Sequence, residues 1–215
     1  MYDYIFFDLD GTLTDSKEGI TKSVAYALEK FQISVANLDD LIPFVGPPLV
    51  ESFCTYYQFS EAKAEQAVAY YREYFSQQGM YENAVYPGIP VLLEALQAKG
   101  KKLYVATSKP TYFAKQIIDY FSLTSYFTAV VGSELDGSRI HKADVIAAVL
   151  ETLPPEAKAQ AVMVGDRLYD IAGAQKMGIA AIGVLYGFGD RAELEAAGAK
   201  TLAASVGDLG ALLLR

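Results

Sequence analysis

Short runs of uninterrupted apolar residues punctuate the chain at Tyr4-Ile5-Phe6-Phe7, Leu103-Tyr104-Val105-Ala106, Ala129-Val130-Val131, Ala161-Val162-Met163-Val164 and Ala180-Ala181-Ile182. Runs without polar alternation suit strands of a parallel sheet that is covered on both faces. Between and after them lie stretches of helical period: Pro90 to Lys99 with Gly100 as its stop, a helix from about Thr111, Lys142 to Leu150, about Ile171 to Met177, and Arg191 to Ala197. Leu202 to Leu214 supplies a last strand and helix. Strand alternating with helix predicts an α/β core with helices on both faces of the sheet. The stretch after the first run breaks this rhythm. Ile20, Val24, Ala27, Leu28 and Phe31 form a helical stripe that Asp15 or Ser16 can cap, and Ser60 precedes a second, with Ala64, Ala67, Val68, Tyr71 and Phe75 on one face. Between them, Phe44-Val45-Gly46-Pro47-Pro48-Leu49 must be a loop, because consecutive prolines fix the backbone and remove its donors. Residues 16–85 are therefore expected to form an inserted helical domain, and residues 1–15 and 86–215 the α/β core.

Composition narrows the function classes. With 52% hydrophobic and 20% charged residues over 215 positions, the chain has the make-up of an ordinary globular protein. Its net charge of −8 argues against broad attraction to nucleic acid or an anionic membrane surface. An anionic substrate then requires a local positive site, such as a metal with one or two lysines. Cys54 is the only cysteine, so no disulfide forms within the chain. No apolar run approaches the ~18 residues of a membrane helix, and Met1-Tyr2-Asp3 lacks the basic start of a leader. The expectation is a cytoplasmic monomer or dimer acting on a small molecule.

The candidate chemistry sits at strand ends. The first run stops abruptly in Asp8-Leu9-Asp10-Gly11-Thr12. Residues two apart in an extended chain point to the same side, so both carboxylates converge on one small volume if the strand persists to Asp10. Taken alone, the pair also fits a plain turn. Two carboxylates that close repel unless a cation joins them, and Mg2+, a hard ion that takes oxygen ligands, leaves one carboxylate oxygen free to attack an electrophile. The second run ends in Thr107-Ser108-Lys109-Pro110, hydroxyls and main-chain donors of the kind that bind anions in open α/β sheets. The fourth ends in Gly165-Asp166, with Asp170 one helical turn further on.

The run Asp8-Leu9-Asp10-Gly11-Thr12-Leu13-Thr14-Asp15-Ser16 resembles the first signature motif of the haloacid dehalogenase superfamily, in its phosphatase branch. Thr107, Lys142 and the pair Asp166 and Asp170 resemble the second, third and fourth motifs, in the family's order. Alanine stands at position 143, where the family usually has proline after its lysine, and Lys109 is the fallback for that lysine. The resemblance implies a Rossmann-like parallel core with an all-helical cap, and a Mg2+-dependent phosphomonoesterase working through an aspartyl-phosphate. Asp8 is implied as nucleophile and Asp10 as acid and base, with Mg2+ held by Asp8, the Asp10 carbonyl and Asp166. Gly11, Thr107, Ser108 and Lys142 are implied to bind the phosphate, and Asp170 to support the metal shell. A phosphosugar mutase shares all four motifs and is the alternative; a non-catalytic phosphate-binding module is a further one. A dehalogenase has no use for Asp10 or Asp166. Within the phosphatases, the chain looks most similar to phosphoglycolate phosphatases and 5′-nucleotidases, slightly more to the latter through Thr107-Ser108-Lys109-Pro110 and Val184-Leu185-Tyr186-Gly187.

Overall fold

A computed structural model describes residues 2–215. In chain order its elements are β1 (Tyr4–Phe7), β2 (Thr14–Asp15), α1 (Lys17–Glu29), α2 (Leu49–Tyr57), α3 (Glu61–Tyr74), β3 (Ala84–Val85), α4 (Ile89–Ala98), β4 (Lys102–Pro110) and α5 (Thr111–Tyr120). There follow β5 (Ala129–Ser133), α6 (Lys142–Leu150), β6 (Ala161–Gly165), α7 (Leu168–Met177), β7 (Ala180–Val184), α8 (Arg191–Ala196), β8 (Leu202–Ala203) and α9 (Val206–Leu213). The chain divides into two compact units, one made of the residues up to Thr14 with Val85–Arg215, the other of Asp15–Ala84.

The first unit is built on a six-stranded sheet in the order β5-β4-β1-β6-β7-β8, with every pairing parallel. Both faces are covered. Phe6, Tyr104 and Met163 pack with Val145, Ile146, Val149 and Ala174 of α6 and α7, and their strand neighbours Ile5, Phe7, Leu103, Val105, Val162 and Val164 are equally buried. That burial on two sides is why the strands carry no polar alternation. From β1 the chain builds outward through β4 to β5, then returns to β6 on the other side of β1 and builds outward through β7 to β8. The reversal makes the carboxyl ends of β4, β1 and β6 the place where such sheets open a crevice. Phe7 lies in register with Val105 on one side and Val164 on the other, so Asp8, Thr107 and Asp166 leave the sheet at nearly the same level.

Two elements start or end elsewhere than the periodicity suggests. β4 is longer than its apolar run: its pairing with β5 shifts register after Ala106 and resumes at Pro110 opposite Ser133. The residues in between form a bulge, which is invisible to a pattern search because it is made of polar residues. α7 begins at Leu168 rather than near Ile171, because Asp170 in its first turn accepts a hydrogen bond from the Arg167 N–H (3.0 Å) and so closes the helix start earlier.

The second unit is helical. α1 buries Ile20, Val24, Ala27 and Leu28, and α3, capped by the Ser60 side chain, buries Ala64, Ala67, Val68 and Tyr71. A 3-10 turn at Leu38–Phe44 precedes the proline loop, and a π-turn at Phe75–Gly79 follows α3. Its interior is aromatic: Phe53 packs edge-on to Phe44 at 5.0 Å and stacks on Phe59 at 5.9 Å, and Phe31 meets Phe59 at 5.0 Å. The Lys63 ammonium lies over the Phe59 ring at 3.9 Å.

Candidate active site

The carboxyl ends of β1, β4 and β6 bring together four aspartates and two lysines, all nine-tenths buried or more: Asp8, Asp10, Lys109, Lys142, Asp166 and Asp170. Such burial of charge persists only where partners compensate for lost hydration. Lys142 enters from the first turn of α6, with Nζ 2.8 Å from Asp8 Oδ1 and 2.8 Å from Asp170 Oδ1. These are ion-pair distances without hydrogen-bond angles, whereas the Nζ does donate a hydrogen bond to the Ala106 carbonyl at 3.0 Å. Ala143, in the place of a proline, leaves the α6 start regular, and the absence of a Cβ at Gly173 of α7 lets the Lys142 stem pass close by. Lys109, on the β4 bulge, pairs instead with Asp10, its Nζ 2.9 Å from Oδ2.

Asp166 has no lysine. Its Oδ1 accepts from the Thr12 hydroxyl at 3.1 Å and its Oδ2 from the Phe188 N–H at 2.8 Å. Gly11, at φ +81°, closes the turn after β1; a side chain there would run into the Asp166 carboxylate. The Tyr186 hydroxyl donates to the Thr12 carbonyl at 3.1 Å and ties the turn to the loop after β7. Burial, and then the nearby charge of Asp166, raise the Tyr186 phenol above its ordinary value.

The electrostatics are unbalanced. Four carboxylates against two ammonium groups leave two negative charges if all ionise. The excess falls on Asp166, whose carboxyl is held well above the usual range by burial, then by the charges of Asp170 and Asp8. Burial likewise pushes Asp170 up to about 6, against the pull of Lys142. For Lys142 burial works against the charge, but Asp170 and Asp8 outweigh it and the ammonium is firmer than usual. Asp8, Asp166 and Asp170 each offer an oxygen within 4.8 Å of the others, the group among the described residues that suits a metal ion. The donors are all carboxylate oxygens, and one divalent cation cancels the excess charge; both facts fit Mg2+ or a similar hard ion.

Of the residues singled out in the sequence, Asp8, Asp10, Gly11, Lys142, Asp166 and Asp170 meet here directly. Thr107 is buried at the start of the β4 bulge, with its Oγ1 accepting from the Lys109 N–H at 3.2 Å. Ser108 is half-buried, and its carbonyl accepts from the Ser133 hydroxyl at 2.8 Å. The Asp10 side chain is turned to Lys109 and stands outside the group of three carboxylates. Asp170, read from the sequence as support for the metal shell, has one oxygen by Lys142 and the other on the Arg167 N–H. His141 is exposed. Sequence reasoning missed Thr12 and Phe188 as partners of Asp166. The visible signal for the second was Tyr186-Gly187-Phe188-Gly189, a glycine-rich turn directly after a buried strand.

The family model described as haloacid dehalogenase-like hydrolase matches residues 5–184. A 5′-nucleotidase of Pseudomonas aeruginosa is 50% identical over 195 residues, covering 91% of this chain and 88% of that protein. The tyrosine-protein kinase PtkA of Mycobacterium tuberculosis is 39% identical over 185 residues, covering 86% of this chain but 62% of that one. Among solved structures, a predicted phosphatase from Clostridium acetobutylicum superposes with a TM-score of 0.96 at 53% identity, covering 100% of this chain and 99% of that one.

Proposed function

This chain belongs to the haloacid dehalogenase-like hydrolases, and we propose that it is a Mg2+-dependent phosphomonoesterase that works through an aspartyl-phosphate on Asp8. The observation that carries the reading is the buried cluster itself: a carboxylate at the end of the central strand, held by a lysine, beside two further carboxylates with an unbalanced charge. Asp8, Asp166 and the main-chain carbonyl of Asp10 would hold the ion, which when bound neutralises charge on the transferring phosphoryl oxygens. Asp170 has both oxygens engaged by Lys142 and Arg167, which suits it to order the cluster from behind.

The chain's own residues do the rest. Lys142 fixes the Asp8 carboxylate, and the oxygen of Asp8 not turned to Lys142 attacks phosphorus as the bond to the leaving oxygen breaks. Asp10 gives that oxygen a proton, then takes one from the water that attacks the aspartyl-phosphate, returning the electron pair to Asp8. The hydroxyls of Thr107 and Ser108, with Lys142, hold the phosphoryl oxygens. Gly11, expected from the sequence to join them, donates its N–H to the Thr14 carbonyl at 2.7 Å and serves the turn after β1 instead.

For the substrate, the resemblance to a 5′-nucleotidase over nearly the full length of both chains supports a nucleoside 5′-monophosphate over phosphoglycolate. A panel of nucleoside monophosphates, phosphoglycolate and hexose phosphates, assayed for free phosphate with and without Mg2+, tests this. We expect kcat/KM to be highest on nucleotides and activity to vanish with chelator. Dominant turnover of phosphoglycolate refutes the nucleotide preference alone, and conversion of a sugar phosphate to its isomer without phosphate release would establish the mutase.

A further inference from the structure

The two lysines of the site are not equivalent. Lys142 faces Asp8 and Asp170, while Lys109 faces Asp10, with Nζ 2.9 Å from Oδ2 and both side chains buried. The second oxygen of Asp10, Oδ1, is buried and has no hydrogen-bond partner in the protein. The two oxygens of this carboxylate are thus divided, one tied down and one free. A protonated Oδ1 leaves Oδ2 an acceptor that still takes a hydrogen from the ammonium, so the division survives in either protonation state.

The backbone that carries Lys109 is held with unusual care. Lys109 lies on the bulge where β4 slips against β5. Bulges beside sites re-aim side chains. The Lys109 N–H donates to Thr107 Oγ1, and the Ser133 hydroxyl donates to the Ser108 carbonyl. The Thr111 hydroxyl donates to the Ser133 carbonyl at 3.2 Å and accepts from the Gly132 N–H at 3.0 Å. A side chain at residue 132 would strike the Lys109 carbonyl, so Gly132 lets β5 close against the bulge. Without the bulge, regular alternation along β4 would have set the side chain of residue 109 by its place in the strand alone.

We infer that Lys109 is a positioning residue for proton transfer, which holds Asp10 by Oδ2 and thereby makes Oδ1 the oxygen that exchanges the proton. The inference rests on the reading of Asp10 as acid and base given above. In the first step, as the P–O bond breaks and its electron pair passes to the leaving oxygen, the Oδ1 proton joins that oxygen. In the second, Oδ1 takes a proton from the attacking water, whose oxygen bonds to phosphorus while the electron pair of the Asp8–phosphorus bond returns to the carboxylate. Lys109 keeps its proton through the cycle, and it is set apart from a lysine that binds the phosphate by acting on Asp10 rather than on the phosphoryl oxygens.

The test exploits the leaving group. An alkoxide, as in a nucleoside monophosphate, needs a proton in order to leave, whereas p-nitrophenolate does not. In the full-length protein with saturating Mg2+, Lys109→Met is expected to lower kcat on a nucleoside monophosphate about 10²-fold, and to lower it at least ten times less on p-nitrophenyl phosphate. KM for both is expected to stay within threefold, and Lys109→Arg to restore most of the difference. Equal losses on the two substrates, or a loss confined to KM, would overturn the inference and make Lys109 a structural or phosphate-binding residue. If Lys109→Met does not fold, Lys109→Gln, which keeps a neutral donor, is held to the same criterion. Asp10→Asn separates the inference from its premise. It is expected to show the same discrimination between the substrates, and equal losses there would refute the role of Asp10 itself, and the inference with it.

Discussion

The two units of this chain bury polar groups by opposite means. In the α/β unit the polar residues buried around the strand ends include six charged ones, four aspartates and two lysines, with Asp8, Asp10 and Asp170 in ion pairs and Asp166 held by hydrogen bonds alone. In the helical unit, Thr21, Ser23 and Ser52 are hydroxyls that donate to carbonyls of their own helices or of a preceding residue, and the Lys17–Asp39 and Lys22–Glu18 pairs lie at the surface. There the interior is closed by aromatic rings instead. Buried like charges are costly unless something compensates, so their concentration in one unit marks where stability has been given up for chemistry. The helical unit keeps the ordinary arrangement, in which interior residues serve packing.

Substitutions should therefore have opposite signs in the two units. Asp166→Asn is expected to cost 10³-fold or more in phosphatase activity and to weaken Mg2+ binding. It should also raise the stability of the metal-free protein by roughly 1–3 kcal/mol, because a neutral amide takes the place of a desolvated charge and can still meet Thr12 and the Phe188 N–H. Equilibrium urea unfolding with chelator present measures this, and a loss of stability would break the contrast. In the helical unit, Phe53→Ala removes a fully buried ring and is expected to cost about 3–5 kcal/mol in the same experiment. Mg2+ affinity, measured calorimetrically below the unfolding transition, should be unchanged.

Proton linkage sharpens the same contrast. Asp166 and Asp170 have folded-state values above those of an unfolded chain, so the folded, metal-free protein binds more protons than the unfolded one, and stability falls as pH rises. The fall begins near pH 4 and, for Asp170, is complete a little above pH 6, on the order of 3 kcal/mol; the Asp166 contribution extends it to higher pH. Saturating Mg2+ should flatten the profile, since the cation replaces the bound protons. A metal-free protein that gains stability between pH 4 and 7 would contradict this charge balance.

The fold was legible because burial on both faces writes itself as uninterrupted apolar runs, and because the absence of such a run over residues 16–85 is a signal as well. That Asp8 and Asp166 come together was legible for a related reason, since each is a carboxylate placed directly after a buried strand, and Asp170 follows from its place in the first turn of the next helix. What stayed hidden depends on pairing between distant segments. The bulge at Thr107–Lys109 exists only in register with β5. The choice of Lys109 for Asp10 and Lys142 for Asp8 follows from where the β4 bulge and the start of α6 set the two lysines, which spacing along the chain does not encode. The support of Asp166 by Phe188 is a main-chain contact, to which residue type is nearly blind.

The central claim, that Asp8 carries the phosphoryl group, is tested most directly by acid quench of the enzyme during turnover with Mg2+ and a nucleoside monophosphate, followed by peptide mass analysis. The account predicts one added phosphoryl group on the peptide containing Asp8, lost on mild base treatment and absent from Asp8→Asn, which should not turn over. A phosphoryl group on another residue, or undiminished phosphate release by Asp8→Asn, would contradict it.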